Sequence, residues 1–276
     1  MSEQSPFPEE DALEDEVREE LLLLLALAFL NASQKIVTQS FVRSDFQALQ
    51  DRFRSEAAKA LPQLTSISQR AAELAFERTP LPADTFDTDF SDQRYQQLVR
   101  NIFNDNMQYL LDTNEQAFIR LQEIAVSRGW SDERFNEYLR KFYGLTPKYI
   151  QTVLSLEDAL KADGVSQDKI NKRVQARIDQ LIEWRISLAS ELIGTEVVEG
   201  SKELTWTILG ETGQLDTQEF IKSWRSTIDE VTTQTCLDSH LTTAEIGGFF
   251  PNGMKSPPNL NVLHHCRSSM VIIRRN

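Results

Sequence analysis

The apolar residues between Gln34 and Ala75 recur at helical spacing, as Phe41, Phe46, Leu49 and Phe53 and then as Leu61, Leu64 and Ile67. No strand-like alternation interrupts them. Side chains at that spacing share one face of a helix, whereas a strand sends successive side chains to opposite faces. This part of the chain can therefore bury its apolar stripe only as helices packed on helices, with Pro62 as the one interruption. The pattern continues downstream. Ser91 and Asp92 predict an N-cap for a long helix carrying Tyr95, Leu98, Ile102, Met107, Leu110 and Leu111, and Gly129 ends the next helical stretch. Ser131, with Arg134 and Phe135 after it, opens the next helix. Thr146 caps another, with Pro147 at the first helical position. A further helix is predicted from Asp168 to Glu199, ending in Gly200. The stretch Thr79 to Asp92 holds two prolines and four Asp and reads as a loop. The first two hundred residues are thus expected to be nearly all helix, without a tandem repeat.

After Gly200 the character changes. Leu204 to Leu209, LTWTIL, is rich in β-branched and aromatic residues and predicts a strand, with a turn at Gly210 to Gly213. Phe220 to Ser226 predicts a second strand anchored by Trp224, followed by a polar helix from Asp229 to His240. A turn-rich segment from Gly247 to Asn259 leads to a last strand at Ser269 to Ile273. The expected fold is mainly α: a long helical N-terminal region followed by a small α+β C-terminal module. Its parts are residues 1–33, an acidic segment and apolar helix; residues 34–200, a helical domain; and residues 201–276, the α+β module.

The run LLLLLALAFL from Leu21 to Leu30 invites a membrane reading, but ten residues rise only about 15 Å as a helix, roughly half a bilayer's hydrocarbon thickness. The flank before it is acidic, whereas a signal peptide needs a positive one. No membrane association is expected. The run is read instead as a helix that neighbouring helices, or another subunit, surround on every face.

The formal net charge is −13. That weighs against broad electrostatic binding of nucleic acid, which depends on concentrated Lys and Arg. The excess sits mainly at the start, where residues 1–20 hold nine acidic residues and one basic residue. Residues 201–276 are almost neutral, so a local basic contact near Arg267, Arg274 and Arg275 stays open. Two cysteines in 276 residues argue against a disulfide framework and favour a reducing compartment.

All three histidines and both cysteines lie together near the C-terminus, as Cys236, His240, His264, His265 and Cys266. Cys236 and His240 are four apart on the predicted helix and share a face. The later three could complete a tetrahedral zinc site if the chain folds back. A Cys236 to Cys266 disulfide and a catalytic Cys/His pair are the other chemical readings. The preferred reading is that Cys236, His265 and Cys266 are packing and hydrogen-bonding elements that pin the last strand, with no cofactor and no catalytic residue. The candidate metal ligands are Cys236, His240, His265 and Cys266. No P-loop, dinucleotide fingerprint, Gly-x-Ser-x-Gly elbow or His-Glu-x-x-His helix is present. Aromatic residues at helical spacing read as core, and charged pairs such as Glu123 with Arg128 or Asp132 with Arg134 as solvated faces.

From about Arg177 to Ile273 the chain resembles the phage Mu F-like minor head proteins, also called phage head morphogenesis proteins. The parts that carry the likeness are Ile193-Gly194-Thr195-Glu196; Lys222-x-Trp224 with Asp229 after it; Cys236 to His240; Phe249 or Phe250; Pro257-Pro258; and His265-Cys266-Arg267. The family's usual pattern is Pro-Pro-x-His-Pro-x-Cys-Arg-Cys. Here an insertion separates Pro258 from His264, and Ser268 replaces the second Cys. The resemblance implies a virion structural protein, packaged in few copies, associated with the portal or major capsid protein and linked to head assembly, DNA packaging or ejection. Contact with packaged DNA and with further copies of itself belong to that picture, as does residence in the virion head after assembly in the host cytoplasm. Two alternatives stand beside it: a zinc-dependent hydrolase or nuclease using the Cys/His cluster, and a cellular helical adaptor.

Overall fold

The computed structural model describes residues 8–33, 43–81, 93–226, 228, 232–257 and 268–275. Helices dominate: α1 (Pro8–Ser33), α2 (Arg43–Ala57), α3 (Leu61–Arg78), α4 (Gln93–Arg128), α5 (Asp132–Phe142), α6 (Pro147–Ala162) and α7 (Gln167–Glu211). A single 3-10 turn at Ala58–Ala60 separates α2 from α3, where Pro62 falls in the first turn and so forfeits no helical hydrogen bond. Then come β1 (Phe220–Ser226), α8 (Gln234–Ser239), β2 (Thr243–Ala244) and β3 (Ser268–Arg274). The protein is mainly α, with a small antiparallel sheet near the C-terminus.

The sequence signals for helix ends act as their chemistry requires. The Ser131 side chain accepts from the Arg134 N–H, and that of Thr146 accepts from the Tyr149 N–H, each filling an orphan donor of a first turn. Gly129 follows α4 with φ of 62°, a left-handed conformation that costs glycine nothing. The predicted N-cap at Ser91 and Asp92, and most of the loop that precedes it, lie outside the described residues.

The chain forms two compact units. One comprises Met1–Glu20, Ala60–Asn104 and Leu188–Asn276; the other comprises Leu21–Lys59 and Asp105–Ser187. In the second unit the aromatic side chains at helical spacing form the core. Phe46 stacks on Phe118 with ring centroids 4.4 Å apart and meets Tyr143 edge-on, while Phe53 and Phe142 are buried. Arg185 of α7 is buried among them, and its guanidinium donates to Asn114 Oδ1 at 2.8 Å, to the Gly144 carbonyl and to the Leu110 carbonyl.

In the first unit α1 and α7 approach closely at Gly194, where a Cβ would lie 3.3 Å from the Glu14 carbonyl and from Val17. Hydroxyls bridge other helices there: Ser68 with Ser201 at 2.7 Å, and Tyr95 with Thr205 at 2.9 Å. The sheet has the order β2-β1-β3, all antiparallel, with Trp224 opposite Met270 and Lys222 opposite Ile272 on one side and Ala244 on the other. Its core is Trp206, Leu209, Leu215, Phe220, Trp224, Phe250 and Met270.

Two local expectations need correction. Leu204 to Leu209 is not a strand but the end of α7, which passes through Gly200 without a break. Trp206 and Leu209 face the sheet, whereas Ile208 and Leu204 face Ala72 and Tyr95. A segment buried on two sides reads as a continuous apolar run, and such a run does not distinguish helix from strand. Thr205 and Thr207 satisfy their hydroxyls on the carbonyls of Ser201 and Glu203, four residues back, as threonine does inside a helix. The helix expected from Asp229 to His240 is shorter in the structure: α8 begins at Gln234, where Thr233 caps it, and ends at Ser239.

Candidate functional site

Cys236 and His240 are the members of the Cys/His group whose surroundings are described; His264, His265 and Cys266 lie outside the described residues. Cys236 is buried in α8. His240 does not continue that helix. It is the C-cap, with extended backbone, and its ring turns toward the end of β1, where Nδ1 accepts the backbone N–H of Ser226 at 3.0 Å. The Ser226 hydroxyl donates to the Cys236 carbonyl at 2.8 Å, and Trp224 Nε1 and Ser268 Oγ both reach the same hydroxyl. Leu241 follows with φ of 64°, a strained conformation for leucine, and its N–H donates to the Trp224 carbonyl. The group therefore fastens α8 to β1 and β3.

With Nδ1 accepting that hydrogen bond, the neutral ring carries its proton on Nε2, so neither nitrogen of His240 offers a lone pair to a metal while the bond is kept. Among the described residues no group of three or more His, Cys, Asp or Glu side chains is placed to hold an ion. His240→Ala is expected to cost about 1–2 kcal/mol, because it leaves the Ser226 N–H without its acceptor. Denaturant unfolding measures this, and elemental analysis of the same samples tests the metal reading. Stoichiometric zinc that disappears in the variant would assign His240 as a ligand.

Of the remaining motif residues that are described, Thr195, Trp224, Phe250 and Pro257 are buried framework groups. Thr195 is buried and donates to Glu14 Oε2 at 3.0 Å, and Glu196 lies on the same stretch of α7. Trp224 is buried and meets Phe250 edge-on at 5.3 Å, whereas Phe249 is exposed. Pro257 is buried. Asp229, Pro258, His265, Cys266 and Arg267 lie outside the described residues.

Apart from Lys222, which belongs to the Lys222-x-Trp224 motif, the sequence did not single out the buried charges of this module. On α7, Glu199 and Lys202 are both buried and pair at 2.9 Å. Glu199 also accepts the Met270 N–H, and the Ser269 hydroxyl contacts both partners. One turn on, buried Glu203 pairs with fully buried Lys222 of β1 at 2.6 Å and accepts the Gly247 N–H. The Lys222 ammonium also donates to the Lys255 carbonyl and lies 5.0 Å from the Phe250 ring centre. The second carboxylate oxygen of Glu203 is buried without a hydrogen-bond partner. Burial raises the Glu203 carboxyl above its ordinary range and lowers the Lys222 ammonium, each partly offset by the other's charge. A sequence signal did exist: Glu199, Lys202 and Glu203 interrupt a stretch that is otherwise apolar or hydroxylic.

The second unit contains a polar cavity of about 480 Å³ between α5, α6 and the start of α7. On its wall the Tyr138 hydroxyl donates to both oxygens of buried Glu157, at 2.8 and 2.7 Å, and Lys161 pairs with the same carboxylate. Trp130 stacks on Tyr138, and the Arg134 guanidinium lies over both rings. Arg128 pairs with Asp158 through both nitrogens rather than with Glu123, whose partner is Arg120. Burial, and then the hydrogen bond to Glu157, pushes the Tyr138 phenol up from 10 to about 12. The stability this provides is complete below pH 10 and is lost as pH rises through about 12, because the unfolded chain releases that proton first. Tyr138→Phe should flatten the alkaline fall in stability over that interval in denaturant titrations.

No family model, curated protein or solved structure matches this chain.

Proposed function

We propose that this chain is a structural minor head protein of a tailed phage, associated with the portal or the major capsid protein and acting in head assembly, DNA packaging or ejection. One observation supports the reading above the others. Several described residues of the Mu F-like resemblance serve the framework of one module: Trp224, Phe250 and Pro257 are buried, and Cys236 with His240 anchors α8 against the sheet. Buried motif residues of this kind set the shape of a module, which is what a structural component requires. The long helices supply extended surface for such contacts.

The test is the protein content of purified particles from the source of the sequence. Mass spectrometry of intact heads should find this chain at low copy number beside portal and capsid proteins. An image reconstruction without imposed symmetry should place it against one of them. Its absence from infectious particles that assemble while the chain is expressed would overturn the proposal.

A further inference from the structure

Helix α1 is apolar on every side from Leu21 to Ala28, yet its own chain covers only part of it. Leu21, Leu25 and Ala28 are buried, whereas Leu23 is 61% exposed and Leu27 44% exposed. At the next positions round the helix, Leu22 and Ala26 line a groove of about 490 Å³ whose floor is Ile178, Ile182 and Ile186 of α7. The groove has rims of opposite charge: Arg140 and Lys141 from the end of α5, and Asp179 and Glu183 from α7.

We propose that this groove receives α1 of a second copy of the chain in a two-fold symmetric dimer. The occupant must be a helix that presents apolar side chains one turn apart with both signs of charge beside them. The exposed stripe of α1 has that form: Leu23 and Leu27 follow Glu19, and Arg18 lies beside Glu19. Glu19 suits the Arg140 and Lys141 rim, and Arg18 suits the Asp179 and Glu183 rim. In a two-fold interface the same patch must be both ligand and receptor, since each residue meets its counterpart's partner. Helix α1 meets that condition, because Leu23 and Leu27 would fill the partner's groove while Leu22 and Ala26 wall its own. Two leucines left in water on a helix of this composition are the kind of exposed apolar surface that association removes. The inference rests on this surface alone and holds whether or not the chain serves a phage head.

The test is sedimentation equilibrium of the full chain at micromolar concentration. The expected result is a dimer. Leu23→Glu with Leu27→Glu, at positions already exposed and so harmless to folding, should weaken it by about a hundredfold while circular dichroism stays unchanged. Glu19→Arg alone and Arg140→Glu alone should each weaken it by about tenfold, and the two together in one chain should restore it. A wild-type monomer, a dimer indifferent to the leucine variant, or charge reversals that do not restore one another would each overturn the proposal.

Discussion

Lys222→Met is expected to lower stability by about 3–5 kcal/mol, the usual cost of stranding one member of a buried ion pair. The ammonium is fully buried between Glu203, the Lys255 carbonyl and the Phe250 ring, so water cannot replace it when it is removed. Glu203 would keep the Gly247 N–H as a donor but lose its counter-charge, and one of its oxygens is already without a partner. Converting Glu203 to Leu in the same chain should recover most of the loss. Two charges that balance in the fold cost more to desolvate than an apolar pair of similar volume.

The pH dependence follows from the same pair. The raised Glu203 carboxyl contributes stability at low pH that is lost as pH rises through its folded value. The lowered Lys222 ammonium contributes stability at high pH that is lost as pH falls through its folded value. Denaturant titrations of the wild type, the single variant and the double variant across pH test both statements. A single variant that loses under about 1 kcal/mol would mean that water reaches the pair.

Arg185→Leu is expected to cost about 3–4 kcal/mol, and its effect should be confined to the second unit. The guanidinium donates to Asn114 Oδ1 and to the carbonyls of Leu110 and Gly144, thereby holding α4 and the turn before α6 to α7. Removing it leaves three buried acceptors short of a donor. Burial holds the group down to about 10, below the ordinary arginine value, so it remains charged at neutral pH. Arg185→Lys keeps the charge but not the planar fork that reaches several acceptors, and should fall between wild type and leucine. Hydrogen exchange gives the cleanest reading, because protection should drop in α4, α6 and the first half of α7 while the sheet module stays protected. Equal loss in the sheet module would show that the two units unfold together.

These two side chains also mark where reading the sequence stopped. The β1 strand was legible at both ends, Phe220 to Ser226, because Phe220, Ile221 and Trp224 give it aromatic and β-branched residues after the turn at Gly210 to Gly213. The last strand was legible to within one residue at each end, as Ser268 to Arg274. Helix caps at Ser131 and Thr146 were legible because capping is a local bargain between one side chain and the next turn. The end of α7 was not. Trp206, Leu209 and Ile208 contact partners far away in the chain, and those contacts overrode the strand preference of LTWTIL.

The spacing of Cys236 and His240 was legible in the sequence, whereas the surroundings of their side chains were not. The spacing of Cys236 and His240 suggested two ligands on one helical face, whereas the helix ends at Ser239 and the imidazole turns to the backbone of β1. The helical, acidic and apolar character of this protein, the helix starts at Ser131 and Thr146 and its two long strands were determined by local sequence, since periodicity and capping are settled within a few residues. The tertiary structure alone decided that Lys202, Lys222 and Arg185 are buried, that Leu23 and Leu27 are not, and that α7 continues past Gly200. A charge is buried, or a leucine exposed, only by what distant parts of the chain bring against it, and no local pattern encodes that.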